Sequence, residues 1–288
     1  MNDICIYAID AQYGFSKLAW YNEMIAMVKA GASLSEIGFS EMREKTAPVV
    51  VAQQANPIRV KSRWSLSQDS YPENSVAVMS LSGVIRSEGG ACSYGVNDQV
   101  EWLHAIYSNP SIVGILLEID SGGGDLIASQ KLKGALEMRN KPIVSYVHLA
   151  ASGGYMAAAA TDEIWAAGPS SEFGSIGVMA AFSRSALEEI GKDKLVIVGK
   201  DSPEKNKTFF DLTEGKTDGL QANIDLHTKI FHDFIKSSRN LKGDVKDTLS
   251  GKMFATREAK ANGLADGMTN FNKAMGRVLR LAKNYSDV

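Results

Sequence analysis

Residues 113–161 read VGILLEIDSGGGDLIASQKLKGALEMRNKPIVSYVHLAASGGYMAAAAT. Residues 113–120 are a nearly continuous apolar run closed by an acid, the pattern of a strand buried on both faces of a largely parallel sheet. Residues 125–139 carry a helical pattern, residues 142–149 a second strand, and MAAAAT opens a helix of small side chains. Strand, helix, strand, helix in that order means an α/β fold.

Outward from this segment the alternation continues. A strand is expected near 76–85 and a helix near 96–108, with further strands in EIWAAG (163–168), SIGVMAAF (175–182) and KLVIVG (194–199). A long helix over 216–238 carries Leu220, Ile224, His227, Ile230, Phe231 and Phe234 on one broad face. In residues 1–75, Leu18, Tyr21, Ile25 and Val28 recur at helical spacing, which predicts one short helix. The tract from Gln53 to Asn74, rich in Gln, Asn, Ser and Pro, reads as a linker. The expected organisation is therefore a leader and linker over 1–75 and one compact domain over 76–288.

A chain of 288 residues that is 44% apolar can build a full core. Its formal charge of −2 is spread without long blocks of one sign, which argues against a nucleic-acid groove and favours a peptide partner. Cys5 and Cys92 stand far apart, too few for a disulfide framework or a cysteine metal site, and read as free thiols in a reducing compartment. The first twenty residues lack the basic and apolar regions of a signal peptide, and no later run is long and uncharged enough to span a bilayer. The expectation is a protein of the cytoplasm without a membrane anchor.

Three glycine-containing elements fall where strands end, and parallel sheets place their sites at those ends. The first is Asp120-Ser121-Gly122-Gly123-Gly124-Asp125, whose backbone N–H groups can point into a cleft and hold a developing oxyanion. The second is Ala150-Ala151-Ser152-Gly153-Gly154-Tyr155, a serine between a strand and a helix with glycines beside it. A serine there is an N-cap or a nucleophile, and the glycines that permit close approach of a substrate favour the nucleophile. The third, Phe173-Gly174-Ser175-Ile176-Gly177-Val178, supplies a wall of the same cleft.

A serine needs a base. His104, His227 and His232 lie within helical stretches, where core or surface positions are the ordinary reading, and His148 sits in the strand before Ser152. The other base is a desolvated, neutral lysine, and residues 199–207, GKDSPEKNK, offer three.

Residues 117–178 resemble the core of the signal peptide peptidase A family, in which a Ser-Pro-Gly-Gly turn, an Ala-Ser-Gly-Gly-Tyr motif and a Gly-Ser-(Ile/Leu)-Gly-Val strand occur in this order. Val78–Ile85 resembles the family's first core strand, and Gly251–Ala259 with Gly263–Asp266 resembles its C-terminal motif, so the resemblance covers about residues 76–268. It implies a ClpP/crotonase-like fold, a homo-oligomeric ring, and proteolysis by a Ser–Lys dyad that uses no cofactor and no metal. Ser152 is then the nucleophile, and Gly123 with Gly153 forms the oxyanion hole. Gly122, Gly124, Gly154, Gly174 and Ser175 line the substrate cleft. Lys205, in a Ser-Pro-Glu-Lys segment similar to that of phage members, is the base, with Lys200 the alternative. Gly122 replaces the family's proline. Relatives of this kind can complete the dyad between adjoining subunits.

The resemblance further implies a phage prohead protease that cleaves scaffold and capsid proteins in the host cytoplasm or inside the procapsid. Its nearest rival is a cytoplasmic bacterial peptidase of the same family that degrades signal peptides or other peptides. A rival of another class is a crotonase-like acyl-CoA enzyme, disfavoured because enolate chemistry needs placed carboxylates rather than a Ser-Gly-Gly-Tyr motif. An inactive assembly protein is the third.

Overall fold

The structure is a computed structural model, and it describes residues 6–9, 47–51, 58–59, 66–67, 71–89, 94–193 and 197–285. Their strands are β1 (Ile6–Ile9), β2 (Val49–Val51), β3 (Ile58–Arg59), β4 (Ser75–Ile85), β5 (Ile112–Asp125), β6 (Ile143–Ala151), β7 (Glu163–Ala166), β8 (Glu172–Gly174), β9 (Met179–Ala180), β10 (Met253–Ala255) and β11 (Gly267–Met268). All join one sheet whose main path runs β10-β8-β6-β5-β4-β2-β3. The centre, β4 to β7, is parallel, as are β6 with β8 and β7 with β11, whereas β2, β3, β10, β1 and β9 pair antiparallel around it. The protein is thus α/β with a largely parallel sheet. Strands β1 to β3, from the first 75 residues, belong to the same sheet as the rest.

The helices that position the site are α1 (Val96–Ser108), α2 (Leu126–Glu137), α3 (Gly153–Ala159), α4 (Arg184–Asp193), α5 (Lys207–Thr213), α6 (Asp218–Ser238), α7 (Val245–Thr248), α8 (Thr256–Asn262) and α9 (Phe271–Tyr285). Side chains satisfy backbone N–H groups at the starts of α1 and α2. The Asp98 carboxylate accepts the Gly95 N–H at 2.9 Å, and the Asp125 carboxylate accepts the Ala128 N–H at 2.8 Å.

The layers follow from the strand pattern. In β5 successive side chains point to opposite faces. Ile115, Leu117 and Ile119 join a large core with Leu103, Ile106, Leu132, Leu136, Phe231 and Ile235, whereas Leu116 joins a smaller core with Val76, Val144, Ala274 and Val278. The sheet is therefore covered on both sides, by α1, α2 and α6 among others on one face and by α9 on the other. This is why residues 112–117 of its central strand are apolar on both faces, polar side chains first entering at Glu118 and Asp120.

Four expectations change in detail. The Asp120–Asp125 turn is extended backbone that continues β5, because β4 pairs with it through Val84↔Gly123 and Ile85↔Gly124. The strand expected over 175–182 is broken: Ser175 has φ 51 and gives its N–H to the Lys252 carbonyl, so strand geometry persists only at β8 before it and β9 after it. Residues 194–196 of the expected KLVIVG strand lie outside the described residues, and residues 197–199 form no strand, with Ile197 86% exposed. The helix expected near 18–28 also lies outside the described residues. On α6 the buried positions are Phe231 and Ile235, and Ile230 faces outward.

Candidate active site

Ser152 sits where β6 stops and α3 begins. Its backbone, at φ 53 and ψ −117, lies outside the regions a side-chain-bearing residue ordinarily adopts, which costs about 1–3 kcal/mol and persists only where the surroundings enforce it. The enforcing contacts are visible. The Ser152 N–H donates to the Gly174 carbonyl at 2.8 Å, and its own carbonyl accepts the Met156 N–H at 2.9 Å as the first bond of α3. The Ser152 Oγ donates to the Gly177 carbonyl at 3.5 Å, a long and weak bond that leaves the hydroxyl available.

The glycines after it sit in close quarters, Gly154 against backbone and Gly153 against a side chain. A Cβ at Gly153 would lie 2.2 Å from Ser129 Oγ, and one at Gly154 would lie 2.7 Å from the Ser121 carbonyl oxygen. The helix is thereby pressed directly onto β5. That pressure also brings the two glycine segments together, since the Gly153 Cβ position is 3.5 Å from the Gly123 Cα. Gly123 has φ 93, a conformation that suits glycine, and its N–H donates to Ser121 Oγ at 3.2 Å while Ser121 Oγ donates to the Gly83 carbonyl at 2.6 Å.

Over Ser152 lies a cavity of about 410 Å³ lined by Ser175 to Met179, by Thr228 and His232 of α6, and by Leu249, Ser250 and Gly251. Ser152 itself is only 2% exposed and forms part of the floor. The wall made by Ser175 is held from behind, because the Lys252 carbonyl accepts the Ser175 N–H at 2.8 Å and β10 pairs with β8. His232 Nε2 lies 3.3 Å from the Ile176 carbonyl; a carbonyl only accepts, so that nitrogen carries the proton in this arrangement.

The structure thus brings together Ser152, Gly123, Gly153, Gly154, Gly174 and Ser175. Gly122 and Gly124 flank Gly123 in the buried end of β5. The lysines are elsewhere: Lys205 and Lys200 are both exposed, in turns before α5, and neither lines the cavity over Ser152 within a single chain. His148, on central strand β6, lies beside Tyr146 and pairs with Glu118 of β5 at 3.1 Å rather than with Ser152. His227 Nδ1 is buried without a partner, and His104 stacks edge-on against Tyr107.

Sequence reasoning did not place Thr228, His232 or Leu249 at the cavity. The signal was present for the first two, which are four apart and so share a face of α6. Leu249 and Ser250 carry no chemical signature and reach the site only through the fold. Among the described residues no group of His, Cys, Asp and Glu is arranged to hold a metal ion, and no helix is long and apolar enough to cross a membrane.

A strained, buried serine at a strand-to-helix turn, packed beside a glycine segment and lining a cavity, is the feature around which this α/β protein's candidate site is built. The model of peptidase family S49 matches residues 135–284, more than half of the chain, and the chain belongs to that family. A protease-like protein of Methanocaldococcus jannaschii is 30% identical over 191 residues, covering 64% of this chain and 60% of its own. Protease 4 of Haemophilus influenzae is 27% identical, covering 74% of this chain and 36% of its own. Capsid assembly protease C of Escherichia phage lambda is 26% identical, covering 70% of this chain and 48% of its own. The chain therefore spans between about a third and three fifths of these relatives' lengths.

Proposed function

We propose that this chain is a serine endopeptidase in which Ser152 attacks the scissile carbonyl. The observation that carries the reading is the enforced backbone of Ser152, which costs energy, holds the hydroxyl at the floor of a peptide-sized cavity and packs the turn against Gly123. The N–H groups of Gly153 and Gly123 are the donors for the oxyanion. The present acceptor of the Gly123 N–H is a neutral hydroxyl at 3.2 Å, and an oxyanion is the stronger acceptor.

Lys205 takes the Ser152 proton in this reading and later returns one to the leaving amine; water then hydrolyses the acyl-enzyme. An exposed lysine outside the cavity suits this role only if an adjoining copy of the chain delivers and desolvates it, so the working enzyme is an oligomer. The neutral amine is the reactive form, and burial between subunits is what favours it.

The physiological substrates we propose are scaffold and capsid proteins during phage head maturation. Two features support this: the similarity to a phage capsid assembly protease, and the Ser202-Pro203-Glu204-Lys205 segment. The similarity to cellular proteins of M. jannaschii and H. influenzae supports a second reading, a cellular peptidase acting on short peptides.

Co-expression with scaffold and capsid proteins encoded beside this chain, read by mass spectrometry of the products, tests the proposal. The expected result is defined cleavage by the parent chain and none by Ser152→Ala. Cleavage that persists in Ser152→Ala would remove the serine from the mechanism. Intact capsid proteins alongside cut peptides would favour the cellular role.

A further inference from the structure

Strand β6 follows β5 in parallel as far as Ser121↔Ala150 and then turns away at Ser152 to start α3. The next residues of β5, Gly123 and Gly124, keep β4 on one side and lose β6 on the other. A strand edge with unpaired backbone groups is thereby created beside the serine, and such edges accept an added strand. In the structure that place is taken. Strand β1 pairs antiparallel with it through Ile9↔Gly123, Ala8↔Gly124 and Tyr7↔Asp125. On its other side β1 pairs with β9 through Tyr7↔Met179 and Ile6↔Ala180, and Met179 lines the cavity over Ser152.

Four uncharged residues, Ile6–Ile9, therefore bridge the end of β5 to β9, whose Met179 lines the cavity, and Ile9 is the one beside Gly123. We propose that the segment Ile6–Ile9 is a built-in ligand of the cleft, held as an added strand between β5 and β9, which an extended peptide must displace to reach Ser152. The inference rests on the peptidase reading for its biological meaning, but the competition itself is a binding equilibrium that needs no turnover. An intramolecular ligand acts at an effective concentration in the millimolar range, so even a weak β1 contact lowers the apparent affinity for a competing peptide.

The test uses the full chain carrying Ser152→Ala, so that nothing is cut. A fluorescein-labelled IYAIDA peptide is titrated against it and against the same chain carrying Tyr7→Pro and Ala8→Pro. Neighbouring residues of a strand point their N–H groups to opposite sides, so the two prolines remove a donor toward β5 and one toward β9. The proline pair should tighten peptide binding by about tenfold or more, as expected when an internal competitor is removed. Equal affinity for both chains, or no binding to either, overturns the proposal. A second measurement needs no variant. Among the described residues β9 pairs only with β1, so in the parent chain the Met179 and Ala180 amides that face β1 should exchange slowly with solvent. Rapid exchange there would equally overturn it. Peptide binding with the expected difference but without any cleavage by the chain with Ser152 intact would instead refute the peptidase reading and leave this one standing.

Discussion

The two glycines after Ser152 show how little room the turn at that serine has. A methyl group at Gly154 would approach the Ser121 carbonyl oxygen to 2.7 Å, and that oxygen belongs to the rigid centre of the sheet. Gly154→Ala should therefore push α3 away from β5 and destabilise the protein by about 1–3 kcal/mol, as overpacking does in cores. The same shift moves Ser152 relative to Gly123. Misplacement by about 1 Å can cost around a hundredfold in rate, so peptide cleavage should fall further than the loss of stability alone explains. Thermal unfolding together with kcat on one peptide separates the two effects; unchanged kcat would mean that the turn is less tightly fixed than these contacts indicate.

Among elements, α3 is tied to a part of the chain distant in sequence. The Tyr155 hydroxyl is buried and donates to the Leu264 carbonyl at 2.9 Å, and burial pushes its ionisation well above the ordinary tyrosine range, so it remains a donor at any working pH. Tyr155→Phe leaves that carbonyl unsatisfied, and the expected loss is about 1–3 kcal/mol. Urea unfolding should show a lower midpoint with an unchanged slope, and a midpoint equal to that of the parent would mean that water replaces the lost donor.

These ties also explain what could be read in the chain beforehand. Helix α1 and strands β4 to β6 are legible because local pattern and final burial agree: Ile115 and Leu116 go to different cores, so an unbroken apolar run is the correct signal for β5. The Gly123 segment is legible as a site but not as a strand, because its extension depends on β1 and β4, which no local pattern records. The break at Ser175 depends in the same way on Lys252, far along the chain. Ser152 and its glycines are visible because their chemistry is concentrated in one motif. Lys205 is only a choice among neighbouring lysines, and a single chain leaves it in solvent.

At the scale of the whole molecule, the proposed Ser152–Lys205 dyad would make assembly a condition for activity, because Lys205 is exposed and lies outside the cavity over Ser152. If the dyad is shared, Ser152→Ala and Lys205→Ala chains are each inactive alone, yet mixing and reassembling them should restore activity. Random assembly around a head-to-tail ring joins the two intact halves at about a quarter of the interfaces, which sets the expected recovery. No recovery on mixing, with both chains assembled, would place the lysine and the serine in the same subunit. Recovery that grows with protein concentration would show in addition that association limits the reaction.

The departure of β6 from β5 at Ser152 has one more consequence. In the proposed peptidase the end of β5 would hold a substrate through main-chain groups, which every residue other than proline supplies, and leave preference for sequence to cavity side chains such as Ile176, Val178, Met179 and Leu249. A target would then also have to straighten over a short length and leave its own fold before it could be cut. Loosely held loops and tails should be consumed first, and the same sequence locked into a finished helix or sheet should survive.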